Sequence, residues 1–318
     1  MTLTETEKPE AGLDSPVGPR LGSPPPVELG LPGLRAGIAL SPSRASDFLT
    51  CPLLFRFRAI DRFRERPGPA AVRGTLVHAV LEDLFDLPAP QRTLQAAQEL
   101  LLPTWNTLIE HEPELTYALD LDAEFPPAEE GGSPSPTAAE IAEWITAAEP
   151  LLDTYFELED PTRLEPSARE LRLEIQLDHD GPALRGIVDR LDVAPGDLMR
   201  VVDYKTGRSP GPGFEQKALF QMRFYALMLW RIRGTIPKRL QLLYLGDGQL
   251  LHYDPTKEEL VAFERKLRAL WEAITRVAAS GNWQPRESRL CDWCDHQHRC
   301  PAKGGILPPL PDDIVLVP

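Results

Sequence analysis

The sequence predicts an α/β fold in which a mixed β-sheet is covered by helices. Three observations carry this. Leu171, Leu173, Ile175 and Leu177 alternate with polar residues, the period-2 pattern of a half-buried strand. Two further strand-like runs, 184–193 and 198–205, follow across the turn sequences His179-Asp180-Gly181-Pro182 and Pro195-Gly196-Asp197. Helical patterns flank this meander, and the order helix, three strands, helix, strand is that of a sheet with helical layers.

Residues 1 to about 36 read as a disordered, acidic, Pro-rich tail, with Pro-Pro-Pro breakers and no aromatic residue. Order is expected from 37 to 305, beginning at Ser41, a helix cap before Arg44 to Leu49. After Gly74, Val77, Val80, Leu81, Leu84 and Phe85 carry the spacing of one buried helix face. A helical insertion covers about 91–160, broken by an acidic Pro/Gly/Ser loop at 123–137. Beyond the meander come a helix over about 214–233, a strand pair over 239–253 and a long helix over about 256–279. A cysteine cluster at 291–300 closes the domain, and 306–318 form a C-terminal tail.

Composition sets the bounds. The chain has 318 residues, 42% of them hydrophobic, and its 34 prolines are about twice the usual share. No run of about 18 apolar residues is present, so no membrane span is expected. The first thirty residues lack the pattern of a secretory signal, and a soluble, cytoplasmic protein is expected. The net charge of −14 argues against a protein that coats nucleic acid. A nuclease remains open, because acidic residues hold metal and local basic patches steer DNA.

Asp189 lies on the second strand in Gly186-Ile187-Val188-Asp189-Arg190-Leu191-Asp192. Asp203 and Lys205 end the third in Val201-Val202-Asp203-Tyr204-Lys205-Thr206-Gly207. Neighbouring antiparallel strands can set Asp189 beside Asp203, and Lys205 shares the face of Asp203. Paired carboxylates are costly unless a cation neutralises them, so a Mg²⁺ or Mn²⁺ site is the simplest account, with Lys205 placed to offset charge on a phosphate. A D-x-K alone is commonly a surface hairpin; the apolar Val201-Val202 strand and further polar residues shift the weight. Gln221 and Tyr225, four apart, share one face of an otherwise apolar helix. His78 sits one residue off an apolar helical stripe.

Together, G-I-V-D-R-L-D, D-Y-K-T-G at 203–207, Q-M-R-F-Y at 221–225 and G-T-L-V-H at 74–78 resemble the motifs of the PD-(D/E)XK nucleases. They are most similar to the RecB-like exonuclease branch, which includes the nuclease domains of RecB and AddB and the CRISPR-associated single-strand exonucleases. The resemblance spans about 40–302. It implies a restriction-endonuclease-like core with His78, Asp189 and Asp203 as metal ligands, helped by the backbone carbonyl of Tyr204. Lys205 would be catalytic, and Gln221 and Tyr225 would support the site or touch DNA.

The four cysteines are Cys51 and a C-x₂-C-x₅-C of Cys291, Cys294 and Cys300. Four thiolates suit either tetrahedral Zn²⁺ or a [4Fe–4S] cluster, and His296 and His298 in the x₅ gap offer alternative ligands. A remote cysteine followed by this triplet resembles the iron–sulfur staple of AddB-type nucleases, which implies a structural cluster tying the first helix to the chain's end.

Arg56, Arg58, Arg62, Arg64, Arg66 and Arg73 interleave with Phe55, Phe57 and Phe63, a candidate phosphate-binding stretch or a buried aromatic stripe with solvated arginines. Arg190 is expected to be a local ion-pair partner. No phosphate loop of the G-x-x-x-x-G-K-[ST] type occurs, so a helicase motor, if used, acts in trans. The expected function is a metal-dependent DNA nuclease acting on single strands or duplex ends, as an exonuclease or end- or flap-processing enzyme of repair or recombination. The rival is a non-catalytic iron–sulfur DNA-binding or scaffold protein with the same fold.

Overall fold

The computed structural model describes residues 38–120, 123, 125, 136–177, 181–211 and 216–311. The tail at 1–36, most of the loop at 123–137, His179 and Asp180 of the first turn, and 312–318 lie outside the described residues.

The elements are α1 (Pro42–Thr50), α2 (Pro52–Phe55) with a π-turn at Arg56–Ile60, α3 (Pro69–Leu84), α4 (Leu94–His111), α5 (Ala138–Thr146), α6 (Glu149–Leu158), β1 (Ala168–Gln176), β2 (Ala183–Ala194), β3 (Leu198–Lys205), α7 (Gln216–Arg233), β4 (Arg239–Tyr244), β5 (Gln249–Tyr253) and α8 (Lys257–Ser280). The strands form one sheet in chain order, β1-β2-β3-β4-β5. β3 and β4 are parallel and the other pairs antiparallel, so the sheet is mixed. α7 supplies the crossover that parallel neighbours require.

The sheet separates two cores. On one face α1, α2, α7 and α8 pack through Phe48, Phe55, Phe224, Leu227, Phe263 and Trp271. On the other, α3, α4, α5 and α6 pack through Val80, Leu84, Trp105, Ile145, Leu152 and Tyr155. β3 serves both: Val201 belongs to the first core, Val202 and Tyr204 to the second. Each fully buried aliphatic or aromatic side chain contributes about 1.5–3 kcal/mol.

α3 departs from the sequence expectation by starting before Gly74, with Pro69 in its first turn. A mid-helix glycine costs about 1 kcal/mol relative to alanine. Here it serves a close crossing: a Cβ on Gly74 would sit 3.1 Å from Thr206 Oγ1, just past the end of β3. α3 thereby passes over the strand that carries Asp203 and Lys205, and His78 follows one turn later.

α8 is bounded by its own chemistry. Thr256 and Glu259 form a reciprocal capping box at its start, and Gly281 takes the left-handed conformation (φ 65°) at its end.

Candidate active site

The strand alternation changes phase at the site. On β2, Gly186 packs on Tyr225 and Met228 of α7, and Val188 and Leu191 both belong to the α7-side core. Arg190 turns to the other face, where it meets Tyr204 and Glu159. Asp189 falls at the change of phase. Opposite it on β1, the register runs from Arg169↔Arg190 directly to Leu171↔Val188, skipping Glu170. Glu170 has φ 42°, the left-handed region that a non-glycine residue seldom adopts.

Asp189 accepts a hydrogen bond at Oδ2 from the Tyr204 backbone N–H at 2.7 Å. That bond continues the β2–β3 ladder beyond Arg190↔Val202 and holds Asp189 beside Asp203. The Tyr204 ring is buried against Tyr155 and hydrogen-bonded through its hydroxyl to Arg190, so its backbone faces the carboxylates while its ring supports the site from beneath. Lys205 Nζ lies 2.5 Å from Asp203 Oδ2. Gln221 Nε2 donates to Asp203 Oδ1 at 2.9 Å and to the Tyr225 hydroxyl at 3.1 Å. His78 Nδ1 lies 3.4 Å from Asp189 Oδ2, and its ring meets the Tyr204 ring edge-on. The site residues expected from the sequence therefore converge, from strands β2 and β3 and from helices of both layers.

One member was missed. Glu170 offers a carboxylate oxygen that, with one ligand atom each of His78 and Asp189, forms a set lying mutually within 4.8 Å. On the sequence it is one of four polar residues alternating along β1, and only its backbone conformation sets it apart.

Charge crowding marks the cluster. Burial, then the Asp189 carboxylate, raises Glu170 to about 7. Burial and Asp189 likewise raise Asp203, opposed by Lys205. His78 is held back by burial, but the Asp189 and Asp203 carboxylates outweigh that and raise it. Burial raises the Tyr225 hydroxyl, helped by Asp203. An imidazole and carboxylates so arranged form a hard-donor cleft suited to a divalent cation.

A family description of the PD-(D/E)XK nuclease superfamily matches residues 39–301, nearly all of the described chain. The chain belongs to the PD-(D/E)XK nuclease superfamily. Among similar proteins, Gene 69 protein of Mycobacterium phage D29 is 27% identical over 283 residues, covering 82% of this chain and 96% of that protein. Gene 69 protein of Mycobacterium phage L5 is 26% identical over 297 residues, with the same coverage. A solved structure from Eubacterium rectale, named a "Putative exonuclease", aligns with a TM-score of 0.49 at 16% identity, over 81% of this chain and 87% of that one.

The nuclease brings its four cysteines together at the far end of the α7-side layer. Cys51, Cys291, Cys294 and Cys300 line one cavity of about 60 Å³. The Arg286 backbone N–H donates to Cys51 Sγ at 3.3 Å and that of Ser288 to Cys291 Sγ at 3.4 Å. Burial raises the Cys294 thiol, and the other three cysteines add to the shift. His296, a candidate ligand on the sequence, is buried against Phe57 and Phe63 instead, with Nε2 on Glu65.

In the arginine–aromatic segment of the nuclease the phenylalanines pack inward, while Arg58, Arg62 and Arg64 are exposed. Phe55 and Phe57 are fully buried. Arg56 is buried too, bonded to Asp61 and to the carbonyls of Pro308 and Pro309. Arg64 pairs with Glu114, and Arg66 bonds the carbonyls of Asp120 and Ala123. Arg73 lies over the Trp144 ring. Most of its guanidiniums thus satisfy carbonyls and carboxylates of neighbouring segments, which makes the stretch a structural seam. Among the described residues no helix is long and apolar enough to cross a membrane.

Proposed function

We propose that the chain is a Mg²⁺- or Mn²⁺-dependent deoxyribonuclease that hydrolyses phosphodiester bonds at ends or flaps, in DNA repair or recombination. The observation that carries this is the meeting of Asp189, Asp203 and Lys205 at one cleft of a nuclease-family fold. His78, Asp189, Asp203 and the Tyr204 carbonyl would hold the cation, and Glu170 joins them as a further ligand. The crowding that raises Glu170 and Asp203 supports this, since a cation relieves it. When bound, the cation supplies Lewis-acid polarisation of the phosphate and a lowered pKa for water.

The remaining work falls to the chain's own residues. Lys205, with its ammonium at the Asp203 carboxylate, is placed to offset the charge that builds on the phosphate oxygens. Gln221 fixes the Asp203 carboxylate from the α7 side, and Tyr225 in turn fixes Gln221. The second prosthetic group of the reading is a [4Fe–4S] cluster on Cys51, Cys291, Cys294 and Cys300. The cavity between the thiols and the backbone N–H groups aimed at two sulfurs suit a polynuclear core.

The deciding measurement is a time course on end-labelled single-stranded and duplex DNA with Mg²⁺ or Mn²⁺. Wild type is expected to cut, whereas Asp203→Asn and Lys205→Ala lose at least about a thousandfold in rate while keeping the native circular dichroism. Equal cutting by all three would sink the mechanism. Anaerobically purified protein is expected to be brown, with about four irons per chain. Stoichiometric zinc without iron would remove the cluster from the reading.

A further inference from the structure

We propose that a groove beside the carboxylates is the track of a single DNA strand, its bases lying against Phe220 and Ile187 and its phosphates passing Lys266, Arg185 and Arg223. This rests on the nuclease reading above and names the strand that reaches its site.

The groove encloses about 780 Å³ between the start of α1, the first half of β2, α7 and α8. Its lining includes Gln221 and Tyr225, and Gln221 bonds Asp203, so one side chain joins the groove to the carboxylates. Charge complementarity is local and opposed to the whole. In a chain of net charge −14, the groove residues include Arg58, Arg185, Arg223 and Lys266 against the one acid Asp47. Arg58 is held tightly by Asp47 and Glu65, whereas Arg185 and Arg223 reach Glu174 and Glu259 only at 3.9 Å, so these two and Lys266 carry the charge that lines the groove. Lys266 is exposed on α8.

The same walls carry apolar surface where a polar cleft would be expected. Ile187 is 43% exposed, two residues before Asp189 on β2. Phe220 is half-buried, packed edge-on against Phe263 at 5.1 Å. Cations interleaved with an aromatic platform are the pattern that holds unpaired bases, because every base has a face to stack while its phosphates need only charge. Pockets of roughly 300–1,000 Å³ take a ligand of a few rings. This groove therefore has room for a short run of nucleotides. At its outer end, Ser41, Ser43 and Ser46 of α1 add hydroxyl donors for a phosphate.

The test is fluorescence anisotropy on the full chain with a labelled single-stranded oligonucleotide and a blunt duplex, using Ca²⁺ in place of Mg²⁺ so that no strand is cut. The wild type is expected to prefer the single strand. Phe220→Ala and Ile187→Ser each weaken single-strand binding about tenfold and leave its salt dependence unchanged. Lys266→Ala weakens it about fivefold and makes the log–log salt slope shallower by about 0.7, the signature of one lost phosphate contact. Lys257→Ala, on an exposed lysine of α8 outside the groove, changes binding less than twofold. Unchanged single-strand binding in the groove variants, or an equal loss on duplex, overturns the proposal. Binding with these sensitivities but no cutting under Mg²⁺ or Mn²⁺ removes the nuclease reading alone; cutting with indifference to the groove removes only the track.

Discussion

His296 Nε2 lies 2.7 Å from Glu65 Oε1, with the imidazole 1% exposed between Phe57 and Phe63. Arg58 grips both oxygens of the same carboxylate and reaches on to Asp47 in the groove wall. A chain of polar contacts therefore runs from the cysteine segment to the proposed DNA track. Removing one member of a fully buried pair costs roughly 3–5 kcal/mol. A quarter of the Glu65 side chain is exposed, so His296→Ala is expected to cost about 2 kcal/mol in urea unfolding.

The pH dependence of the pair has a defined sign. Burial opposes the Glu65 charge, but the His296 and Arg58 hydrogen bonds outweigh it and hold the carboxyl at about 2. A depressed carboxyl contributes stability that is complete above the unfolded value of about 4.3 and is lost as pH falls toward 2. Glu65→Gln is expected to flatten the acid limb of the stability profile in that window. An unchanged acid limb would show that Glu65 is not held low.

Glu170 behaves in the opposite sense. Its pKa is raised to about 7, so in the metal-free protein it costs stability as pH rises from about 4.3 through 7. His78, also raised, contributes stability that is present below the ordinary imidazole value of about 6.5 and is lost as pH rises above it. Glu170→Gln is therefore expected to melt higher than wild type at pH 8 without metal. With Mn²⁺, wild-type affinity should climb between pH 5.5 and 7.5 as a proton is displaced, and Glu170→Gln should bind about tenfold more weakly. Titration calorimetry in two buffers of different ionisation enthalpy reads both affinity and proton release.

Arg190 is fully buried, donating to both oxygens of Glu159 at 2.7 and 2.9 Å and to the Tyr204 hydroxyl at 2.8 Å. Glu159 caps the C-terminal end of α6, so this pair pins the helical insertion to the strands of the site. Arg190→Ala leaves the buried Glu159 with only a 3.9 Å contact to Arg200, while Asp192 keeps its Arg200 pair, and is expected to destabilise by about 3–5 kcal/mol in urea unfolding. Arg190→Lys, which keeps charge but loses the bidentate fork, should recover part of that loss.

Gly186 sets the position of Tyr225. A Cβ there would come within 2.8 Å of the ring's Cε1, so Gly186→Ala must displace the ring and loosen its hold on Gln221. The expected outcome is a roughly tenfold lower cleavage rate, about 1.4 kcal/mol in the barrier, with a melting temperature within a few degrees of wild type. Tyr225→Phe, which keeps the ring and removes the hydroxyl, should show a similar loss.

The sequence by itself determined the elements and most of the site. The period-2 run at 171–177, the turn at 195–197 and the long amphipathic pattern of α8 are local signals, and local signals survive reading one residue at a time. Asp203 and Lys205 were legible because a strand's pleat puts alternate residues on one face, and Gln221 and Tyr225 because a helix does so every fourth. Only the tertiary structure decided the rest. Glu170 looks like any polar strand residue until a positive φ and the change of phase at Asp189 turn it into the cleft. The arginines of 56–73 read equally as a phosphate-binding stretch or as a solvated face until carbonyl and carboxylate partners, up to about 250 residues away, engage Arg56, Arg58, Arg64 and Arg66. Pairings across such separations depend on how layers stack, and the groove proposed as the DNA track exists only where α1, β2, α7 and α8 meet.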